Sequence, residues 1–275
     1  MSGLATAEFD YVRKLVHEQS AIVLEDGKGY LVESRLSPIA RKAGLGSLSE
    51  LVARLQSTRD DGLRREVVEA MTTNETTFFR DRHPFDALRD VLLPEMLANR
   101  AKERTLSIWS AASSTGQEPY SIAMLLREHF PELLNWNVRI LATDLNEEVL
   151  AKARAGQYGQ VEINRGLAAP LLMKYFTRDG LKWIISGDLR RMVDFQQMNL
   201  AARWPAMPPM DVIFLRNVLI YFDAPTKKRI LANARALLRP DGVLFLGGAE
   251  TTINLDDAFE RMPHEKAAVY RLRKR

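Results

Sequence analysis

The 275-residue sequence contains no cysteine. That excludes disulfides, thiolate zinc sites and cysteine nucleophiles, and it is compatible with a reducing compartment. No apolar stretch approaches the roughly 20 residues that a membrane span needs, and the opening MSGLATAEFDYVRK lacks the charged-then-apolar pattern of a secretion signal. A cytoplasmic protein without direct membrane insertion is expected, and no metal site is expected. Charge is nearly balanced at a formal +4, which permits nucleic acid as a partner without calling for it. Glycine is scarce where it would be diagnostic. From Trp109 the chain reads WSAASSTGQEPYS, which has the look of a strand turning into a helix over a nucleotide, yet it holds one glycine where dinucleotide loops carry three.

Hydrophobic residues make up 46% of the chain and no low-complexity tract interrupts them, enough for one sizeable core and a smaller accessory domain. Up to about Thr77 the apolar spacing is helical: Phe9, Val12, Leu15 and Val16, then Leu48, Leu51, Val52 and Leu55, then Leu63, Val67, Val68 and Met71. Ser47 with Glu50 three residues on marks a helix start by a capping box, after a turn punctuated by Gly44 and Gly46. Residues 1–77 are therefore expected to form an all-α N-terminal domain. Residues 78–104 would be a linker and the first helix of the following domain. From Thr105 short apolar strands alternate with helices: TLSIWSA, YSIAMLLREHF, VRILATD, NEEVLAKARAG, then MDVIFLRNVLIYF, TKKRILANARALL, GVLFLGGAE and a closing AAVYRLR. This is the order of an α/β, Rossmann-like doubly wound parallel sheet over 105–275. The irregular stretch 176–195 alternates like a small antiparallel β-subdomain inserted in it.

Ligands of such sheets bind beyond the carboxyl ends of the strands where strand order reverses, so the first strand-to-helix loop is the place to look. A pyrophosphate needs several glycines for close backbone approach, whereas an adenosine without phosphate does not. The loop from Ala111 to Gly116 offers small side chains and suits an apolar or cationic ligand lying close to it. Glu118, at the mouth of the next helix, can face an ammonium or sulfonium charge, or can simply favour the helix dipole. Asp144, ending the second strand, can accept from both hydroxyls of an adenine-linked ribose, or can cap the next helix. The combination suggests S-adenosylmethionine.

The runs MTTNETTFFRDRHPF (71–85), WSAASSTGQEPYSIAM, ILATDLNEEVLAKARAGQY, FLRNVLIYFD and LRPDGVLFLGGAET together resemble, in order and almost from end to end, the chemotaxis receptor methyltransferases of the CheR family. The resemblance implies a class I methyltransferase domain behind an N-terminal helical domain. It also implies transfer of methyl groups from S-adenosylmethionine to glutamate side chains on the cytoplasmic helical bundles of chemoreceptors, with S-adenosylhomocysteine as product. It places Asn74, Thr76 and Arg80 against the cofactor from the interdomain segment, with Ala111, Gly116, Glu118 and Asp144 holding it and Asn199, Leu200, Arg216 and Asn217 completing the walls.

A glutamate is already an anion at neutral pH, with an unperturbed pKa of about 4.3, so its methylation needs placement and water exclusion and no general base. Arg80 can fork onto a carboxylate, or can be a surface arginine paired with Asp81 or Glu75. Tyr221, expected at the far end of a strand, can wall the methyl group with a hydroxyl and a ring, or can pack in the core. For receptor binding, Lys28, Arg35 and Lys42 recur every seven residues beside the row Val32, Leu36, Ile39 and Ala43, and Arg41, a further candidate, points elsewhere. They are expected to form a basic stripe, shared between two segments if Pro38 breaks the helix, or else a solvated face. The 176–195 insertion lacks the glycine-rich, arginine-bearing loop of relatives that dock a receptor tail, so dependence on a C-terminal receptor pentapeptide is not expected. Two rival classes remain, a module that binds S-adenosylmethionine without catalysis and a nucleic-acid methyltransferase. The prolines of the adenine-amino enzymes are missing from Asn217-Val218-Leu219-Ile220-Tyr221, and cytosine-C5 chemistry lacks its cysteine, so no nucleic-acid partner is expected.

Overall fold

The computed structural model describes residues 4–264 and 266–273. Four helices come first, α1 (Thr6–Ser20), α2 (Gly29–Lys42), α3 (Leu48–Ser57) and α4 (Asp61–Ala70). Their apolar faces meet in one core that includes Val12, Val16, Leu36, Leu51, Leu55 and Val67, as the helical spacing demands. The cap of α3 differs slightly from the expected box. Ser47 accepts from Glu50 N at 3.2 Å, but the Glu50 carboxylate reaches one residue further back, to Gly46 N at 3.0 Å. Pro38 does not divide α2, which runs unbroken through it. Both Pro38 and Ser34 are exposed, so the carbonyl that loses its amide partner is left to water.

The chain then crosses to a second core through residues 71–82 and enters α5 (His83–Ala87), a π-helical turn (Leu88–Leu92) and α6 (Leu93–Asn99). Beyond them lie β1 (Thr105–Ala111), α7 (Gln117–His129), β2 (Asn137–Asp144), α8 (Glu147–Ala155), β3 (Gln157–Gly159), α9 (Gln160–Asn164), α10 (Ala169–Tyr175), β4 (Phe176–Asp179), β5 (Lys182–Ile185), α11 (Gly187–Arg190), β6 (Val193–Gln197), β7 (Met210–Leu215), α12 (Ala224–Leu237), β8 (Leu238–Leu246), β9 (Phe259–Arg261) and β10 (Ala268–Leu272).

The main sheet has the order β6-β2-β1-β7-β8-β10-β9. Five strands are parallel, while β10 runs antiparallel to both β8 and β9, so the sheet is mixed rather than wholly parallel. The chain winds outward from β1 through β2 to β6 and then returns to β7 beside β1. The reversal opens a crevice at the carboxyl ends of β1 and β7. The middle strands carry near-continuous apolar runs because helices cover both faces, and Phe214 and Phe245 stack across β7 and β8 with centroids 4.4 Å apart. At the opposite ends of the strands, buried Arg100 just after α6 donates to Asp211 (3.0 Å) and forks onto Asp241 (2.9 and 2.5 Å). That network ties the entry helix to β7 and β8, away from the crevice.

The inserted subdomain is displaced from the expected 176–195. β4 and β5 form the hairpin, closed by the two residues Gly180 and Leu181, but its third strand is β3, well upstream. Residues 193–197 belong instead to β6, the edge of the main sheet. Likewise MDVIFLRNVLIYF is not one strand: β7 ends at Leu215, and Leu219–Tyr221 form a 3-10 turn. No described helix is long and apolar enough to cross a membrane.

Candidate active site

A cleft lies in the crevice, where ligands of such sheets bind. Four of its walls follow the carboxyl ends of strands: Ala112, Ser113 and Ser114 after β1, Asp144 and Leu145 at β2, Met198, Asn199 and Leu200 after β6, and Arg216, Asn217 and Val218 after β7. The helical domain closes the remaining side. The crossing segment contributes Thr72 to Thr76 and Arg80, the end of α1 contributes Ser20 and the α1–α2 connection Ile22. Direct bonds join the two halves around the cleft. Asn199 Nδ2 donates to Gln19 O (2.7 Å), Asn146 Nδ2 to Glu69 O (3.1 Å) and Val23 N to Tyr221 O (2.9 Å).

Of the residues expected to touch the cofactor, Asn74, Thr76, Arg80, Glu118, Asp144, Asn199, Leu200, Arg216 and Asn217 all line this cleft, as does Tyr221. Ala111 and Gly116 do not. Ala111 is the last residue of β1 and its methyl is buried in the sheet core. Gly116, at φ +92°, is needed for a different contact: a Cβ there would fall 2.9 Å from Ala153 Cβ and 3.2 Å from the Tyr158 hydroxyl. Its role is to let α7 start against α8 and the inserted sheet. The loop faces the cleft instead through Ala112 and Ser114, both in the left-handed region (φ 53° and 50°), where L-residues are strained and which recurs at ligand-contacting loops.

Asp144 is 6% exposed and accepts from Ser114 N (2.8 Å) and Asn146 N (3.0 Å), which fixes the carboxylate while leaving lone pairs toward the cleft. Asn146, not Asp144, caps α8, accepting from Glu148 N and Val149 N. Burial raises the pKa of Asp144 from the ordinary carboxylate range, opposed by these backbone donors. Beside it the Ser113 hydroxyl is buried with no hydrogen-bond partner among the described residues. An orphaned buried hydroxyl in a cleft wall fits a site completed by a polar ligand.

At the other end Glu118 accepts from Ser110 Oγ (2.9 Å) and from Arg216 (2.9 Å). The Arg216 side chain, 2% exposed, continues to Asp81 (2.7 Å) and to Arg80 O (3.1 Å), so one buried guanidinium ties the interdomain segment to α7. Arg80 pairs with neither the Asp81 nor the Glu75 carboxylate. It donates to Glu75 O (2.8 Å) and keeps the rest of its fork toward the cleft. Its neighbours Phe79, Asp81 and Arg82 all have positive φ, so the backbone is bent tightly around it.

Two family models match almost the whole chain: the CheR methyltransferase all-alpha domain over residues 7–72 and the CheR methyltransferase SAM binding domain over 74–268. The chain belongs to the CheR methyltransferase family. Chemotaxis protein methyltransferase 1 of Pseudomonas aeruginosa is 41% identical over 97% of this chain and 98% of its own length. The chemotaxis protein methyltransferase of Vibrio parahaemolyticus is 41% identical over 99% and 100%, and that of Escherichia coli is 37% identical over 94% and 88%. The activity is therefore S-adenosylmethionine-dependent methyl transfer in chemotaxis. The cleft's lining is compatible with that cofactor in kind, offering the buried Asp144 carboxylate, the unpartnered Ser113 hydroxyl and a second carboxylate, Glu118.

In this CheR chain the basic stripe does not survive as a free surface. Arg35 turns inward, donating to Met71 O (2.8 Å), Thr72 O (3.0 Å) and Thr73 Oγ1 (3.1 Å). Lys42 is paired with Glu66 at 2.7 Å. Heptad spacing shows which residues share a helix face, but not that the crossing segment folds back under Arg35 with its carbonyls facing outward. Lys28, at the N-cap of α2, exposed Arg41 and Lys42, exposed though paired, remain on the surface. Arg35→Glu is accordingly expected to loosen residues 71–73 and to weaken cofactor binding as well as substrate binding, by about 1 kcal/mol or more. Cofactor calorimetry reads it, and unchanged affinity would return Arg35 to a purely surface role. Two contributors went unread in the sequence. Asp81 partners Arg216, and Glu250 is a buried carboxylate just after β8.

Proposed function

We propose that this chain transfers methyl groups to glutamate side-chain carboxylates of chemoreceptor cytoplasmic domains, giving glutamyl methyl esters and S-adenosylhomocysteine. The observation that carries this reading is the chemistry absent from the cleft wall. Among the described residues it holds no histidine, lysine or cysteine, and of its carboxylates Asp144 is engaged by backbone amides and Glu118 by Arg216, leaving exposed Glu75, so the wall is poor in free bases. Such a site suits a nucleophile that is already anionic at neutral pH, and a carboxylate is one.

S-Adenosylmethionine, when bound, would supply a sulfonium methyl group to a carboxylate oxygen, with the C–S electron pair left on sulfur in S-adenosylhomocysteine. Asp144 and Ser113 hold the ribose end in this reading, and Glu118 faces the amino-acid end with Arg216 fixing its orientation. Arg80 steers the incoming carboxylate with its free donors, and Tyr221 and Asn217 wall the methyl group and exclude water. Receptor contact falls to the helical domain, through Lys28 and Arg41 and around the cleft mouth, in place of the full stripe. The hairpin turn Gly180–Leu181 offers no glycine-rich loop for a receptor tail, which supports binding without a C-terminal pentapeptide. A cytoplasmic location and a metal-independent reaction belong to the same proposal.

The test is to incubate the protein with radiolabelled cofactor and either receptor cytoplasmic fragments or nucleic acid. Base-labile label on the receptor supports the reading. Label on nucleic acid, or tight cofactor binding with no transfer to any receptor, overturns it. Arg80→Lys keeps the charge and loses the planar fork, so it is expected to fold normally and to lose roughly tenfold in kcat, within the range of a misplaced reactant. Wild-type turnover in that variant would make Arg80 an ordinary boundary arginine.

A further inference from the structure

We propose that Glu250 is a positioning residue for methyl transfer, acting through the backbone of the loop that carries Asn217 and Tyr221. Glu250 follows β8 and is 8% exposed. Among the described residues its carboxylate touches no basic side chain; it accepts four backbone amides. Oε2 takes Asn217 N (2.8 Å) and Gly247 N (2.6 Å), and Oε1 takes Leu219 N (2.7 Å) and Ile220 N (3.3 Å). Three of the four belong to the segment between β7 and α12, and the fourth belongs to the end of the neighbouring strand. One carboxylate thus staples the loops after two adjacent strands at the switch point.

The staple sets a conformation that the loop would not adopt alone. Asn217 sits at φ +56°, and the residues behind it form the 3-10 turn ending at Tyr221. A short turn of this kind leaves its first amides without intrahelical acceptors, and Glu250 supplies them. Packing leaves no slack: a Cβ on Gly247 would lie 2.7 Å from both Asn217 Nδ2 and Glu250 Oε2. The far side of the loop is held by Val23 N donating to Tyr221 O and by the bridge between Ile22 and Phe222. Asn217 and Tyr221 are therefore fixed from both sides, with an ionised carboxylate as the rigid partner. Charge-assisted bonds of this type are about twice as strong as neutral ones.

Glu250→Gln distinguishes positioning from mere support. The amide has the same shape, but its NH2 would confront two N–H donors, so one half of the staple is lost whichever way it turns. This inference rests on the proposed roles of Asn217 and Tyr221. The expected result is a kcat lowered about tenfold, within the roughly hundredfold that misplacing a reacting group can cost, with KM for the cofactor changed less than about threefold. Amide exchange should rise at Asn217, Leu219 and Gly247 and stay unchanged in the central strands. A kcat within about threefold of wild type overturns the proposal, as does protection lost throughout the sheet. Should the variant not fold, native-state exchange on the wild-type chain decides: fast exchange of Asn217, Leu219 and Gly247 amides means that Glu250 holds nothing in place. That measurement needs no substrate, so it stands even if receptor methylation itself is not observed.

Discussion

Arg216→Met is expected to remove about 3–5 kcal/mol of stability and to abolish measurable methyl transfer. The guanidinium is 2% exposed and lies between two carboxylates, Glu118 (12% exposed) and Asp81 (52% exposed). The pair as a whole gains little over an apolar replacement, because burying both charges is costly. Deleting one member is different, since it strands the other in a poorly solvated place. Glu118 would keep only its bond from Ser110 Oγ, and Asp81, half exposed, would turn to water. The Arg80 carbonyl would also lose a donor, so the bend that presents Arg80 to the cleft would relax. Urea unfolding checks the stability, and a double variant checks the cause. Adding Glu118→Gln to Arg216→Met should restore much of the lost stability but not activity, because the stranded charge is gone while the cofactor's cationic end still lacks its partner. Equal destabilisation in the single and double variants would show that Arg216 acts by packing against Phe85, whose ring centroid lies 5.9 Å from its guanidinium carbon.

The sequence displayed the site unevenly, for physical reasons that specific residues illustrate. Asp144 and Glu118 were legible because strand-to-helix punctuation places them at the switch point whatever the tertiary detail. Periodicity likewise located the four N-terminal helices, because Val12, Val16, Leu51, Leu55 and Val67 must share one core. Gly116 was legible as a special position but not in its purpose, since what a missing Cβ avoids depends on Ala153 and Tyr158, remote in sequence. Gly166 passed unnoticed for the same reason: a Cβ there would fall 2.0 Å from Phe78 O in the crossing segment. Arg35 looked like one of three equivalent cations until the chain at 71–73 was seen to lie under it. The apolar continuity of VIFLRNVLIYF suggested one strand, whereas the strand stops at Leu215 because Glu250, some thirty residues on, captures the amides that would have continued the ladder. Local pattern reports what a residue shares with its neighbours in sequence. Side chains that bond to distant backbone leave no such trace.

Asp144→Ala is expected to lower cofactor affinity roughly 10- to 150-fold, the equivalent of about 1.5–3 kcal/mol for hydrogen bonds to a charged acceptor. The carboxylate is held toward the cleft by Ser114 N and Asn146 N. Its burial also gives the affinity a pH dependence whose sign is fixed. Desolvation raises the Asp144 pKa in the folded protein above its unfolded value, so the folded chain holds this proton more tightly than the unfolded one. Taken alone, that destabilises the ligand-free protein above the folded pKa, and the penalty disappears as pH falls through it. Ligand hydroxyls donating to the ionised form pull the pKa back down. Binding should therefore release protons, and affinity should decline as pH falls through a window shifted upward from the group's ordinary pKa. S-Adenosylhomocysteine is the suitable probe, because it keeps the ribose and the amino-acid end and cannot be consumed. Calorimetry in buffers of differing ionisation enthalpy would read proton release in that window for the wild type and a flat profile for Asp144→Ala. An affinity unchanged by the substitution, with the variant shown to be folded, would remove Asp144 from the ribose contact and leave it as the anchor of the Ser114 turn alone.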